Sequence, residues 1–165
     1  MSRKPKTSPR PITILLVDDD GDFRMLLREI IDQAAACADV REVAGGREAL
    51  DYLRRAGRFA EAPRPELIYL DIEMPDLTGL EVLEAIKSDP DLADISVVML
   101  TGIDDEAQRR LARRRGADGY VLKPAEPRLL IETVSESVNH CARPRRAPAR
   151  HREVTATACE RQSHG

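Results

Sequence analysis

The sequence predicts an α/β protein with a single doubly wound, five-stranded parallel sheet, on three observations. Short apolar runs recur five times along the 165 residues, several of them unbroken, as in strands buried on both faces. Each run is followed by a stretch with helical spacing of its apolar residues. The connections between them are short, which fits a (βα)₅ order with helices on both faces of one sheet. Taken together, these features leave room for one domain with tails and a core of substantial size.

The elements follow in order. Residues 1–10 are basic, contain Pro5 and Pro9, and read as a flexible arm. Ile12 to Val17 is the first strand, ending abruptly in Asp18-Asp19-Asp20. Gly21 and Asp22 open a helix whose stripe is Phe23, Leu26, Leu27, Ile30 and Ile31. Val40 to Ala44 is a weaker strand that Gly45-Gly46 breaks. Ala49, Leu50 and Leu53 mark the second helix, ending near Gly57. Arg58 to Pro65 holds two prolines and reads as a surface loop. The run Glu66-Leu67-Ile68-Tyr69-Leu70-Asp71 is the most strand-like stretch in the chain, and Pro75 prevents its continuation. The third helix runs from about Gly79 to Ser88, with Leu80, Leu83 and Ile86 inward. Ile95 to Leu100 is a strand closing on Thr101-Gly102. Asp104 to Arg115 is a charged helix with few apolar anchors. Gly119 to Leu122 is the last strand, ending in Lys123-Pro124. Pro127 to Cys141 is a helix that buries Leu130, Val134 and Val138. The domain is thus residues 11–141, and residues 142–165, rich in Arg, Pro and Ala, read as disordered.

Composition narrows the function. Aromatic residues make up 3% of the chain and Trp is absent, so the core must be aliphatic. The formal charge of −3 is unevenly spread. The two ends carry ten of the 26 basic side chains, which leaves 16 basic against 27 acidic groups in residues 11–142. An acidic body of this kind repels nucleic acid and attracts divalent cations. The arginine-rich tail lacks interleaved aromatics or a folded DNA-binding motif, so no direct DNA binding is expected. Cys37, Cys141 and Cys159 have neither paired nor metal-ligand spacing and read as reduced thiols. With no apolar run of membrane length and no signal peptide, a cytoplasmic protein is expected.

The chemistry collects at the C-terminal ends of the strands, the rim where open parallel sheets bind ligands. The first strand delivers Asp18 and Asp19, the third Asp71, the fourth Thr101 and the fifth Lys123. Three carboxylates on one rim repel one another unless a cation stands among them. Hard oxygen donors in a solvated cleft suit Mg²⁺. Thr101 offers a hydroxyl donor and Lys123 a point charge suited to phosphate. An aspartate in that company can act as a nucleophile and form an acyl phosphate. Each piece has an ordinary reading too. Asp20 or Asp22 would cap the first helix, and Thr101-Gly102 and Lys123-Pro124 are common strand exits. Only the five together are specific.

These residues resemble the receiver domains of two-component response regulators. The matching pieces are Ile14-Leu15-Leu16-Val17-Asp18-Asp19, Leu70-Asp71-Ile72-Glu73-Met74-Pro75 with Gly79 four residues on, Met99-Leu100-Thr101-Gly102, and Gly119-Tyr120-Val121-Leu122-Lys123-Pro124. The resemblance implies the flavodoxin-like strand order 2-1-3-4-5. It implies Asp71 as phosphoacceptor, with Thr101 and Lys123 on the phosphoryl oxygens. Asp19 would be a direct Mg²⁺ ligand, Asp18 would act more through bound water, Asp71 would join them, and the Glu73 backbone carbonyl would complete the protein's share. Thr101 and Tyr120 would form the switch. Glu73 stands where side chains tune the phosphoryl lifetime in this family. The partners implied are a sensor histidine kinase or phosphotransfer protein and a downstream protein target.

No output domain is expected after Cys141, so the chain reads as a single-domain regulator. Its finer likeness, through residues 49–57, the longer loop Arg58 to Pro65 and residues 86–92, is to those paired with bacterial phytochrome-type kinases. That group allows a homodimer through the fourth helix, fifth strand and fifth helix, where Arg109, Arg110 and Arg113 to Arg115 form either a solvated face or a partner surface. Two other readings compete: a receiver-like binding module that works without phosphorylation, and a Mg²⁺-dependent phosphatase with an aspartyl-phosphate intermediate. The order of the acid pair and nucleophile, and the lack of a cap domain, disfavour the second.

Overall fold

The computed structural model describes residues 11–35, 37–123 and 126–143. The predicted basic arm and nearly all of the predicted tail lie outside the described residues, as do Pro124 and Cys159. Five strands, β1 (Thr13–Val17), β2 (Asp39–Val43), β3 (Leu67–Asp71), β4 (Ser96–Thr101) and β5 (Gly119–Leu122), alternate with five helices. These are α1 (Gly21–Ala34), α2 (Gly46–Leu53), α3 (Gly79–Ser88), α4 (Glu106–Arg114) and α5 (Pro127–Ala142). All strand pairs are parallel, in the order β2-β1-β3-β4-β5. The doubly wound sheet and its implied order are therefore both present. Chain reversal between β1 and β3 opens the crevice where such sheets hold ligands.

Alternation along the strands sends side chains to two apolar layers. Leu15, Val17, Ile68, Leu70, Val97 and Met99 meet α2, α3 and Ala112 of α4. Ile14, Leu16, Leu67, Tyr69, Val98 and Leu100 meet Leu27, Ile30 and Ile31 of α1 and Leu130, Val134 and Val138 of α5. The central strand β3 is buried at every position. At about 25 cal/mol per Å² of apolar surface, this two-sided burial dominates what holds the sheet together.

Helix starts follow from local chemistry. The Asp20 carboxylate caps α1, accepting from the amides of Asp22 and Phe23. Thr78 and Glu81 form a capping box at α3, and Asp105 caps α4. The first turn of α2 has only Gly45 as its own cap, and the Asp76 carboxylate accepts from Gly46 N and Arg47 N instead.

Three expectations need correction. Leu26, placed in the apolar stripe of α1, is 46% exposed. It sits roughly 140° around the helix from Ile31, beyond the arc that the sheet and α5 cover. Helix α2 ends at Leu53, short of the expected end near Gly57, and the surface loop that follows contains a 3₁₀ turn, Gly57–Phe59, pinned by Phe59 against Tyr52 and by the Tyr52 hydroxyl donating to Pro63 O at 2.9 Å. Helix α5 runs one residue into the predicted tail, to Ala142. Among the described residues, no helix is long and apolar enough to cross a membrane.

Candidate functional site

The register of the sheet brings the predicted residues together. Val17 is level with Leu70, Asp71 with Leu100, and Thr101 with Leu122. The next residues of β1 and β5, Asp18 and Lys123, therefore emerge at the same rim as Asp71 and Thr101. Asp18, Asp71 and Thr101 are buried, and Asp19 is exposed at the mouth. One carboxylate oxygen each from Asp18, Asp19 and Asp71 lies within 4.8 Å of the others. A compact set of three hard, anionic oxygen donors, open on one side, fits a divalent cation that keeps part of its water.

Lys123 balances part of this charge. Its ammonium pairs with Asp18 Oδ2 and lies 3.5 Å from Asp71 Oδ1. The same nitrogen sits 4.4 Å from the centre of the Phe23 ring, a cation–π contact. The carboxylates are oriented by the backbone. Asp18 Oδ1 accepts from Asp20 N at 2.9 Å, and Asp71 Oδ1 accepts from Glu73 N at 3.2 Å. Arg24 donates to the carbonyl oxygen of Asp18 and pairs with Glu42 of β2, tying the acidic loop to the sheet edge.

Burial pushes the Asp71 carboxyl up to about 7, opposed by Lys123 and assisted by the neighbouring Asp18 charge. The Glu73 amide pulls the other way. The protonated form of Asp71 is therefore favoured over a wider range of pH than that of a solvent-exposed carboxyl.

The loop after Asp71 is set by a close backbone approach. A Cβ at Gly79 would stand 2.1 Å from the Asp71 carbonyl oxygen and 2.8 Å from Ile72 Cα, and Gly79 N donates to Ile72 O at 2.9 Å. No side chain stands in the way that could yield; the obstacle is backbone. The expected result for Gly79→Ala is a loss of about 3 kcal/mol in a urea titration, with the loop carrying Glu73 displaced. A loss below the error of the titration would show that the loop does not need this approach.

Glu73 is exposed, and its carboxylate lies 3.4 Å from where a Cβ on Gly102 would be. It therefore leans across the mouth toward the loop after β4. Thr101 Oγ1 accepts from Ile103 N at 3.2 Å and is 3.3 Å from both Ile103 O and Gln108 Oε1. Tyr120 is half-buried, and its hydroxyl donates to the same Gln108 oxygen at 3.2 Å.

Sequence reasoning missed three participants. Phe23 is read only as part of the apolar stripe of α1, and neither Arg24 nor Gln108 is singled out by the sequence. Phe23 and Arg24 carried one available signal, their place in the first turn of the helix directly after the acid pair. Gln108 carried none, because its role depends on the azimuth of α4.

Residues 14–135 match the family described as the response regulator receiver domain. The nitrate/nitrite response regulator NarL of Escherichia coli K12 is 30% identical over 131 residues, 79% of this chain and 56% of that protein. The chain thus spans little more than half of that relative's length. The crystal structure of the phosphorylated cyanobacterial phytochrome response regulator RcpA superposes with a TM-score of 0.71 at 35% identity, covering 77% of this chain and 91% of that one. The Mn²⁺-bound form of the response regulator Rcp1 gives a TM-score of 0.73 at 29% identity, covering 84% and 100%.

Proposed function

Because the chain belongs to the response regulator receiver domain family, whose members act as phosphoacceptor switches in two-component signalling, we propose that Asp71 takes a phosphoryl group from a phosphohistidine of a sensor kinase or phosphotransfer protein. The observation that carries this reading is the convergence of Asp18, Asp19, Asp71, Thr101 and Lys123 at one rim of the sheet.

The transfer breaks the P–N bond of the phosphohistidine and forms a P–O bond to an Asp71 carboxylate oxygen. The imidazole leaves and takes up a proton from water. Little covalent work is asked of the protein, so positioning and charge decide the rate. The Lys123 ammonium stands where a phosphoryl oxygen on Asp71 would need a counter-charge, and Thr101 supplies a hydroxyl donor. Asp18, Asp19 and Asp71, with the Glu73 carbonyl, would hold Mg²⁺, which supplies further positive charge against the transferring oxygens when bound. The Glu73 carboxylate would meet water approaching from the side of the loop after β4.

In this reading the chain is a switch rather than an enzyme with a released product. Phosphorylation draws Thr101 toward Asp71, repacks Tyr120 and changes the α4–β5–α5 face for a downstream protein or a second copy of the chain. Arg109 and Arg113 on that face line a cavity of about 430 Å³ with Tyr120, Leu122 and Leu129. A phytochrome-type sensor kinase is the finer partner suggested by the name of RcpA.

The test is the intact mass of the protein after incubation with acetyl phosphate. A gain of one phosphoryl group in Mg²⁺, abolished by EDTA, is the expected result. No gain with this donor or with a phosphorylated histidine protein would leave a binding module that works without phosphorylation.

A further inference from the structure

We infer that Gln108 is a positioning residue that latches the two switch hydroxyls in the resting protein. The inference rests on the reading of Thr101 as a phosphoryl-binding residue and deepens it.

The geometry has three parts. A single amide oxygen, Gln108 Oε1, lies 3.3 Å from Thr101 Oγ1 and accepts from the Tyr120 hydroxyl at 3.2 Å. Gln108 stands in the first turn of α4, held there by the Asp105 cap, which accepts from the Ala107 and Gln108 amides. The neighbouring Arg109 closes the outer side, with its guanidinium carbon 5.1 Å from the centre of the Tyr120 ring and a nitrogen 2.9 Å from Asp104 Oδ1. The amide thus joins strand β4, helix α4 and strand β5 at one atom.

Proton counting gives the consequence. Thr101 has one hydroxyl proton, shared in this state between Ile103 O and Gln108 Oε1. A phosphoryl oxygen is a stronger, charged acceptor for that proton. When Thr101 turns to it, Gln108 keeps only Tyr120, and the contact that ties the aromatic ring to the strand-4 loop is gone. Gln108 therefore opposes the move of Thr101 and couples it to Tyr120. Removing the amide oxygen should favour the phosphorylated arrangement by roughly the net value of one neutral hydrogen bond, about fivefold in binding.

The experiment uses the full chain and beryllofluoride as the phosphoryl analogue, in Mg²⁺. Binding is followed by the ring resonances of Tyr120. Gln108→Leu should bind about fivefold more tightly than the wild type. In the unligated variant, the Tyr120 ring should already have moved toward its ligated position. Gln108→Glu, a stronger acceptor for the same two hydroxyls, should move both readouts the opposite way. Unchanged or weaker binding by Gln108→Leu overturns the latch. If the wild type fails to bind the analogue at all, the phosphoacceptor reading falls separately. The latch is then judged by the unligated protein, where Tyr120 resonances that ignore Gln108→Leu would overturn it.

Discussion

Asp71→Asn should abolish phosphorylation while leaving the protein folded and, without metal, more stable than the wild type. Intact mass with acetyl phosphate and Mg²⁺ should show no phosphoryl gain, because the amide is no nucleophile at this position. The stability gain follows from the charges. Asp71 is buried beside Asp18, with Asp19 and Glu73 also near and Lys123 as the facing cation. Its carboxyl is raised from 3.8 to about 7. A folded-state value above the unfolded one means that the folded protein binds the extra proton between the two. Wild-type stability should therefore fall as pH rises through that window. In EDTA at pH 7.5, Asp71→Asn should be more stable by about 1–3 kcal/mol, and its stability should change less between pH 4.5 and 7.5. Urea titrations at the two pH values measure this. A variant that still gained a full phosphoryl group on an aspartate would move the phosphoacceptor elsewhere.

The features that sequence reasoning read well are those governed by local rules. Helix α3 begins at Gly79 and ends at Ser88 as expected, because Thr78 and Asp89-Pro90 bracket it chemically. Strand β5 runs from Gly119 to Leu122 as expected, with Tyr120 on it level with Met99 of β4. The rim constellation was legible because parallel strands all present their C-terminal ends on one side. What was not legible depends on rotation and reach. The exposure of Leu26 follows from how wide an arc the sheet and α5 cover, which the apolar stripe alone does not state. The contact between Phe23 and Lys123 joins residues one hundred positions apart. The capture of the α2 N-terminus by Asp76 does the same across 30 positions. The ends of the chain, where a basic arm and tail were expected, lie outside the described residues.

Lys123→Met should separate the two roles that the site gives to one ammonium. The methionine keeps an apolar stem against Phe23 but removes the charge that faces Asp18 and Asp71. Two buried carboxylates then stand side by side without a facing cation, a loss of about 3 kcal/mol in EDTA. Mg²⁺ at one hundred times its dissociation constant restores about 2.7 kcal/mol to any protein that binds it only when folded. The wild type gains from the ion as well, so the deficit shrinks only by as much as the variant binds Mg²⁺ more tightly, about 1.4 kcal/mol for each tenfold. Loss of the competing ammonium should tighten that binding, and the deficit should be smaller in Mg²⁺ than in EDTA. The function should not recover in the same way. With Mg²⁺ the variant should gain a phosphoryl group slowly, yet Tyr120 should keep its resting resonances, because the counter-charge that holds the phosphoryl oxygens in reach of Thr101 is missing. A cycle with Asp71→Asn locates the effect, since the cost of losing Lys123 should shrink once one of the two carboxylates is neutral. Equal losses in both backgrounds would mean that Lys123 serves Asp18 alone, and the phosphoryl-binding role would have to be assigned to another cation.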